Sequence, residues 1–488
     1  MRNWKHYSVP TRATPCKYFN ISVNGSIYGE SIMSTTLIKA GILVTLNKND
    51  EIFAPGYVVL ENDQIIETGR LDKQSGMPGI QNRVYDEIVD LTKRLVMPGL
   101  VNAHTHTPMV LFRGMAEEHS LFTFEGWYAG IRVLEAVMDG DMVPPAVLVS
   151  CAEMIRTGTT SFADQYFFMD RVLPAVRQSG MRAALAYGIV ELGDAGARQR
   201  ELDSASAFIS SVQGDKRLQG WVGPHAFFVD NSLEAIEMEL ALADRFGTGL
   251  HFHLATSGEE ERYCQAQFGC SAVEKMDSMG ILKRRLLAAH AITIPESDYP
   301  ALARHPFTAV VAPSACMRSG SEAAAAVAMK KAGINLAIGT DNVANNNSYD
   351  LFKEMQLTGK LMAMREKHPN ALTAREIVQM ATLGGARALG LEQQIGSLEP
   401  GKKADLISLD LNEPGWGPFG RADEGEYHHD DIYTSLVYGV NGNFVRDAMV
   451  DGSWLMRSGE LLTIDYKAAW SDLETANTEL RRRVKASK

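Results

Sequence analysis

The sequence predicts an α/β protein: a (β/α)8 TIM-type barrel with a small flanking β-sandwich built from both chain ends. Three observations carry this expectation. Short Val, Ile and Leu runs broken by turn signals occupy both ends of the chain. Between them, strand-like runs alternate with helical segments, the texture of βα units around a parallel sheet. Eight such runs can be counted, the number that a closed barrel requires.

The elements follow in chain order. Residues 1–32 are polar and aperiodic and are expected to form a poorly ordered N-terminal extension, with Met33 a candidate natural start. From Thr35 to Val96, apolar runs separated by NKND, PG and END predict a small antiparallel sheet. The barrel strands are expected in LVMPGLVNAHTH, TTSFADQYFF, RAALAYGIVE, LQGWVGPHAFF, GLHFHLA, RLLAAHAIT, FTAVVAPSA and INLAIGTDN. Near the end, GSLEPGKKADLISLDL and VRDAMVDGSWLMRSGE return to strands joined by Gly and Asp turns. The expected limits are therefore 33–95 plus 396–465 for the β-sandwich, 96–395 for the barrel, and 466–488 for a charged C-terminal helix.

Composition narrows the function. The 488 residues suffice for a large core, and 45% hydrophobic with 22% charged residues is an ordinary globular balance. Against 59 Asp and Glu stand 48 Lys and Arg, a net charge of −11, with no dense basic run to follow a phosphate backbone. Nucleic acid is not an expected partner. No stretch is apolar for long enough to cross a bilayer, so no membrane role is expected. Five scattered cysteines without CxxC pairing suit a reducing compartment, and the cytoplasm is the expected location.

Several predicted strands end in polar residues, which packing alone rarely requires and which barrel enzymes use to build their sites. His104 and His106 lie two apart on one strand, so their side chains share a face. His253 closes the fifth strand, His290 the sixth, and Asp341 the eighth, placing imidazoles and a carboxylate around one barrel mouth. That donor set suits a borderline divalent metal, zinc first and iron second.

The motifs PGLVNAHTH, HTPMVLFRGMAE, TSFADQYFF, VGPHA, HFHLA, the AAH ending at His290, GTDNVANNNSYDLFKEM and GSLEPGKKADLISLD form an ordered set. They resemble the amidohydrolase superfamily, in its S-adenosylhomocysteine/methylthioadenosine deaminase and triazine (chloro)hydrolase branch. The likeness runs from Thr36 to Glu460. It implies one divalent metal per chain held by His104, His106, His253 and Asp341, with His290 beside the metal or its water and His225 touching substrate. Asp341 would act as a proton carrier and His290 would steady the attacking oxygen. Gln165 and Tyr166 would form the pocket floor, and the partner would be a small heterocycle bound by a homo-oligomer.

Three departures from that pattern bear on the substrate. After the fifth-strand histidine the deaminases usually carry a glutamate three residues on, whereas this chain reads His253, Leu254, Ala255, Thr256, Ser257. Glu259, Glu260 and Glu261 follow, and their spacing predicts positions a turn further from the metal; Glu259 is the candidate substitute. On the seventh strand, Val311 to Cys316 replace a string like HNPASN, and on the third, Tyr187 stands where some relatives have Arg. Thr256 and Tyr187 thus enter the expected substrate contacts. His251, two before His253, is expected to support or pack rather than ligate, and Asn345, Asn346 and Asn347 to hold the loop after Asp341.

The expected function is hydrolytic deamination of a nitrogen heterocycle, such as a purine or adenosine derivative, a pterin, a pyrimidine or a triazine-like ring. Two alternatives stand beside it. One is displacement of chloride or alkylamine from an s-triazine, or opening of a cyclic amide. The other is a catalytically impaired metal-binding scaffold.

Overall fold

The computed structural model describes residues 34–71, 80, 83–419 and 427–487. The expected N-terminal extension lies outside the described residues. The N-terminal strands are β1 (Thr35–Val44), β2 (Ile52–Phe53), β3 (Gly56–Glu61), β4 (Gln64–Arg70) and β5 (Glu87–Pro98). Local chemistry sets their limits. Asn47 Oδ1 accepts from the N–H groups of Asn49 and Glu51, closing the NKND turn, and Asn62 takes φ 54 between β3 and β4.

This part of the sheet is not wholly antiparallel, contrary to the expectation from its hairpin-like turns. β1 pairs with β5 in parallel register, Thr36 opposite Glu87 and Leu43 opposite Val96. A tight turn forces its strands antiparallel, whereas the long stretch between Arg70 and Glu87 lets β5 re-enter beside β1 in the same direction.

The barrel strands are β6 (Leu100–Thr105), β7 (Thr159–Tyr166), β8 (Arg182–Ile189), β9 (Leu218–Pro224), β10 (Leu250–Leu254), β11 (Leu286–His290), β12 (Phe307–Val311) and β13 (Asn335–Ile338). Each falls inside one of the runs picked from the sequence. They pair in chain order, parallel throughout, and a parallel bridge between Thr105 and Asp341 joins the last strand to the first. The interior face carries small residues. Ala184 and Ala186 alternate with the helix-facing Leu185 and share a core cluster with Ala163, Leu287, Val310 and Ala337.

β14 (Leu406–Asp410), β15 (Val445–Val450), β16 (Ser453–Arg457) and β17 (Glu460–Leu461) then return to the first sheet, β14 pairing antiparallel with β5. The resulting nine-stranded sheet curls around Ile38, Val58, Ile65, Val96, Leu406 and Met449, so both chain ends build one β-layered unit. One face of it, with Ile42, Val44, Leu95, Ile407 and Val445, joins the apolar core of the barrel, and ion pairs add to that attachment. Arg182, at the amino end of β8, pairs with Asp405 at 2.9 Å and with Asp451, while Arg217 pairs with Asp451 at 2.9 Å. The helix Tyr466–Ser487 packs on the helix Val143–Arg156, with the Arg156 guanidinium 4.3 Å from the Tyr466 ring centroid.

Candidate metal centre and pocket

Every strand that carries a predicted site residue delivers it at its carboxyl end. His104 and His106 sit at the end of β6, His253 on β10, His290 at the end of β11, and Asp341 just past β13. Two overlapping groups result, His104 with His253 and His290, and His104 with His106 and Asp341; within each group the candidate ligand atoms lie no more than 4.8 Å apart. Asp341 Oδ1 is 3.4 Å from the Nε2 atoms of both His104 and His106.

The backbone is bent to achieve this. Ala255, His290, Ala291 and Asp341 have φ of 53, 75, 51 and 60, left-handed values that cost a non-glycine residue about 1–3 kcal/mol each. Strain of that size persists only where the surroundings over-determine it, and all four positions border the same site.

The outer ring nitrogens explain what the inner ones can do. His106 Nδ1 lies 2.6 Å from the Gln165 carbonyl and His253 Nδ1 lies 2.8 Å from the His225 carbonyl, so both nitrogens carry the proton and donate. Each Nε2 then presents a lone pair, and the two face one another at 3.3 Å. Lone pairs so placed repel unless a proton or a cation lies between them. His104 Nδ1 meets His251 Nε2 at 2.8 Å, and buried His104 Nε2 has no hydrogen-bond partner. These orphaned, converging donors with one carboxylate fit a divalent ion.

Electrostatics agree. Burial, reinforced by neighbouring imidazoles, holds His251 and His253 well below the usual histidine range, lowers His104, and pushes His290 down to about 3. Burial also opposes the charged form of His106, but Asp341 and the Gln165 carbonyl outweigh it and raise that group. For Asp341 burial is again opposed, and the His104 and His106 contacts keep the carboxylate well below its ordinary range. The site therefore keeps His104, His251, His253 and His290 neutral beside an ionised Asp341, with His106 the one imidazole that the carboxylate draws toward its protonated form.

A cavity opens above these residues. His106, His253, His290 and Asp341 line its floor, and Phe122, Phe124, Trp127, Ile131, Phe167 and Val229 supply apolar walls. Phe122 lies over His290 with centroids 4.4 Å apart, and Trp127 over His225 at 4.6 Å. Among the described residues lining the cavity there is no Lys or Arg.

The remaining predicted residues divide. His225, immediately after β9, lines the cavity and hands its Nδ1 to Asp230. Gln165 lines it too, its Nε2 donating to the carbonyls of Pro224 and His251 and its Oε1 left without a partner. Thr256 lines the same cavity. Tyr187 is not among the lining residues, a correction to its expected place at the substrate. On β8 the lining residue is Gly188, so the period of two turns Tyr187 outward, where its ring lies 6.4 Å from Phe208 in the helix layer. Glu259 and Glu260 both line the cavity, contrary to the expectation of a more distant position.

Several supporting residues escaped the sequence reading. Asp164, one residue before Gln165, accepts from Thr105 Oγ1, Thr107 N and Thr107 Oγ1 at 2.8, 2.7 and 2.6 Å and pins the turn that carries His106. Asn342 donates to Asp341 Oδ1 from its backbone and its side chain at 2.7 and 3.0 Å. Asn345 and Asn346 instead donate to the carbonyls of Ala315, in the helix Pro313–Arg318, and of Thr340. Proximity to flagged residues was the one available signal for Asp164 and Asn342.

Comparison with known proteins places this geometry in context. Residues 95–455 match the Amidohydrolase family. The chain is 34% identical over 456 residues to the 5'-deoxyadenosine deaminase of Methanosarcina mazei, covering 93% of this chain and 100% of that protein. It is 34% identical over 421 residues to the 5-methylthioadenosine/S-adenosylhomocysteine deaminase of Desulforudis audaxviator, covering 86% and 93%. Among solved structures, an adenosine deaminase from Xanthomonas campestris with bound zinc superposes with a TM-score of 0.83 at 28% identity, over 92% of this chain and 99% of that one. Atrazine chlorohydrolase from Arthrobacter aurescens gives 0.77 at 20% identity over 91% and 100%, a likeness of fold.

Proposed function

We propose, since the chain belongs to the amidohydrolase family, that it hydrolyses the exocyclic carbon–nitrogen bond of an aminated heterocycle, with uncharged adenosine derivatives as the first substrate class. The observation that carries this reading is the convergence of His104, His106, His253, His290 and Asp341 at one barrel mouth. His104, His106, His253 and Asp341 would hold one divalent ion, zinc before iron, with His290 beside it. When bound, such an ion lowers the pKa of water to near neutrality and so supplies a nucleophile.

The chain's own groups do the rest. Asp341 takes the proton of the attacking water and delivers it to the departing nitrogen. His290, kept neutral by burial, hydrogen-bonds the attacking oxygen. His225, oriented by Asp230, presents Nε2 to the substrate, and Gln165 Oε1 and Thr256 add polar contacts. Phe122 and Trp127, which line the cavity, supply aromatic contact for a heterocycle.

Support for an uncharged substrate comes from the cavity lining, where, among the described residues, no Lys or Arg stands ready to pair a substrate carboxylate or phosphate. On this reading 5'-deoxyadenosine, adenosine and 5'-methylthioadenosine are better substrates than S-adenosylhomocysteine with its charged amino-acid end. The proposed setting is the cytoplasm, where the free thiols of Cys151, Cys264, Cys270 and Cys316 persist, with the protein as a homo-oligomer. Among the described residues no helix is long and apolar enough to cross a membrane. The test is ammonium release by zinc-reconstituted protein from these four nucleosides. Ammonium supports the reading; chloride or alkylamine from an s-triazine, with no ammonium from nucleosides, replaces it with the displacement reaction.

A further inference from the structure

Beyond His253 the chain offers Thr256 where a carboxylate would complete an acid catalyst, and the backbone supplies one by another route. Ala255 at φ 53 and Gly258 at φ 74 are both left-handed, which reverses the chain so that the helix Glu259–Phe268 starts against the strand end it has just left. Glu260 is consequently 3% exposed and accepts a hydrogen bond from the Ala255 N–H at 2.9 Å. It lines the same cavity as His225, His253 and His290.

The other lining carboxylates have different partners. Both oxygens of Glu259 face the Phe124 N–H, at 3.2 and 3.3 Å, so Glu259 ties the aromatic segment down over the pocket. Glu135 pairs with Arg132 at 3.1 Å. Asp341 belongs to the metal group.

We propose that Glu260 is the acid that protonates the substrate ring nitrogen while water adds to the neighbouring amino-bearing carbon. The assignment rests on the deaminase reading above. As the new carbon–oxygen bond forms, the electron pair of the carbon–nitrogen double bond moves to the ring nitrogen, which takes the Glu260 proton. The first water proton passes through Asp341 to the amino group, and the carbon–nitrogen bond breaks to release ammonia. The second water proton returns from the hydroxyl to Glu260 as the carbonyl forms, so the acid is regenerated. Burial supports this role by pushing Glu260 up to about 7, with the Ala255 and Glu260 N–H groups opposing the effect and Glu259 on its own helix and Asp230, the partner of His225, adding to it. At neutral pH a substantial fraction then carries the proton.

The test uses zinc-loaded protein and 5'-deoxyadenosine or adenosine. Glu260→Gln keeps an acceptor for the Ala255 N–H and removes the acid, so kcat should fall by about 10²- to 10⁴-fold with KM within about threefold. Zinc content and melting temperature should match the parent. Wild-type kcat/KM should fall above about pH 7, a limb that Glu259→Gln retains and Glu260→Gln abolishes. Thr256→Glu in the Glu260→Gln background should restore turnover. Parental kcat in Glu260→Gln, or a wild-type profile flat through neutrality, overturns the assignment and leaves deamination standing. If Glu260→Gln does not fold, the wild-type profile alone decides. No ammonium from the unsubstituted enzyme overturns both.

Discussion

The backbone N–H of Asp341 donates to the carbonyl oxygen of His104 at 2.9 Å, and this bond helps to close the barrel between its last and first strands. The seam of the fold and the candidate metal centre are thus the same few residues. Anything that opens the seam should separate the imidazole of β6 from the carboxylate beyond β13.

Gly339 lies in that seam. A Cβ there would stand 2.8 Å from His104 Cβ and 2.9 Å from His104 N, closer than packed atoms allow. Gly339→Ala should lower stability by about 1–3 kcal/mol and reduce bound zinc below one per chain. Elemental analysis with urea unfolding reads both; full occupancy at parental stability would contradict the link between seam and site.

His251 supports the site without joining it, since its Nε2 meets His104 Nδ1. His251→Leu should weaken zinc binding about 10- to 100-fold while saturating zinc still gives one ion per chain. Competition against a chelator measures the change. A fall in saturating stoichiometry would instead make His251 a ligand.

Acid should destabilise the metal-free protein. His104, His251, His253 and His290 all titrate lower folded than unfolded, where the ordinary value is 6.5. The unfolded chain therefore binds more protons below 6.5, so the stability these groups contribute is complete above that pH and is lost as pH falls. The lowered Asp341 acts in the same direction at lower pH, and the raised His106 acts in the opposite one. The melting temperature of chelator-treated protein should drop steadily from about pH 7 to pH 5, and one that rises over this interval would contradict the burial of these imidazoles.

Arg182 is fully buried between Asp405 and Asp451, tying the amino end of the barrel to the flanking sheet. Removing one partner strands the others, so Arg182→Ala should cost about 3–5 kcal/mol in denaturant unfolding. Zinc stoichiometry of the folded fraction should be unchanged, because the candidate ligands sit at the opposite ends of the strands.

The barrel strands and the residues that end them were legible in the sequence, because strand periodicity and apolar runs are local properties and His104, His106, His253, His290 and Asp341 each terminate such a run. The parallel pairing of β1 with β5 was not, since direction depends on how an intervening stretch travels and not on the strands themselves. Nor was the place of Glu260. Spacing along an uninterrupted strand and helix puts it away from the cavity, and two left-handed residues bring it back. Tyr187 went the other way, its face fixed by register within the closed barrel. The order of chemical groups along the chain was thus determined by sequence alone. Which of them meet was decided by chain reversal, strand register and ring closure, because those depend on contacts between residues far apart in the chain.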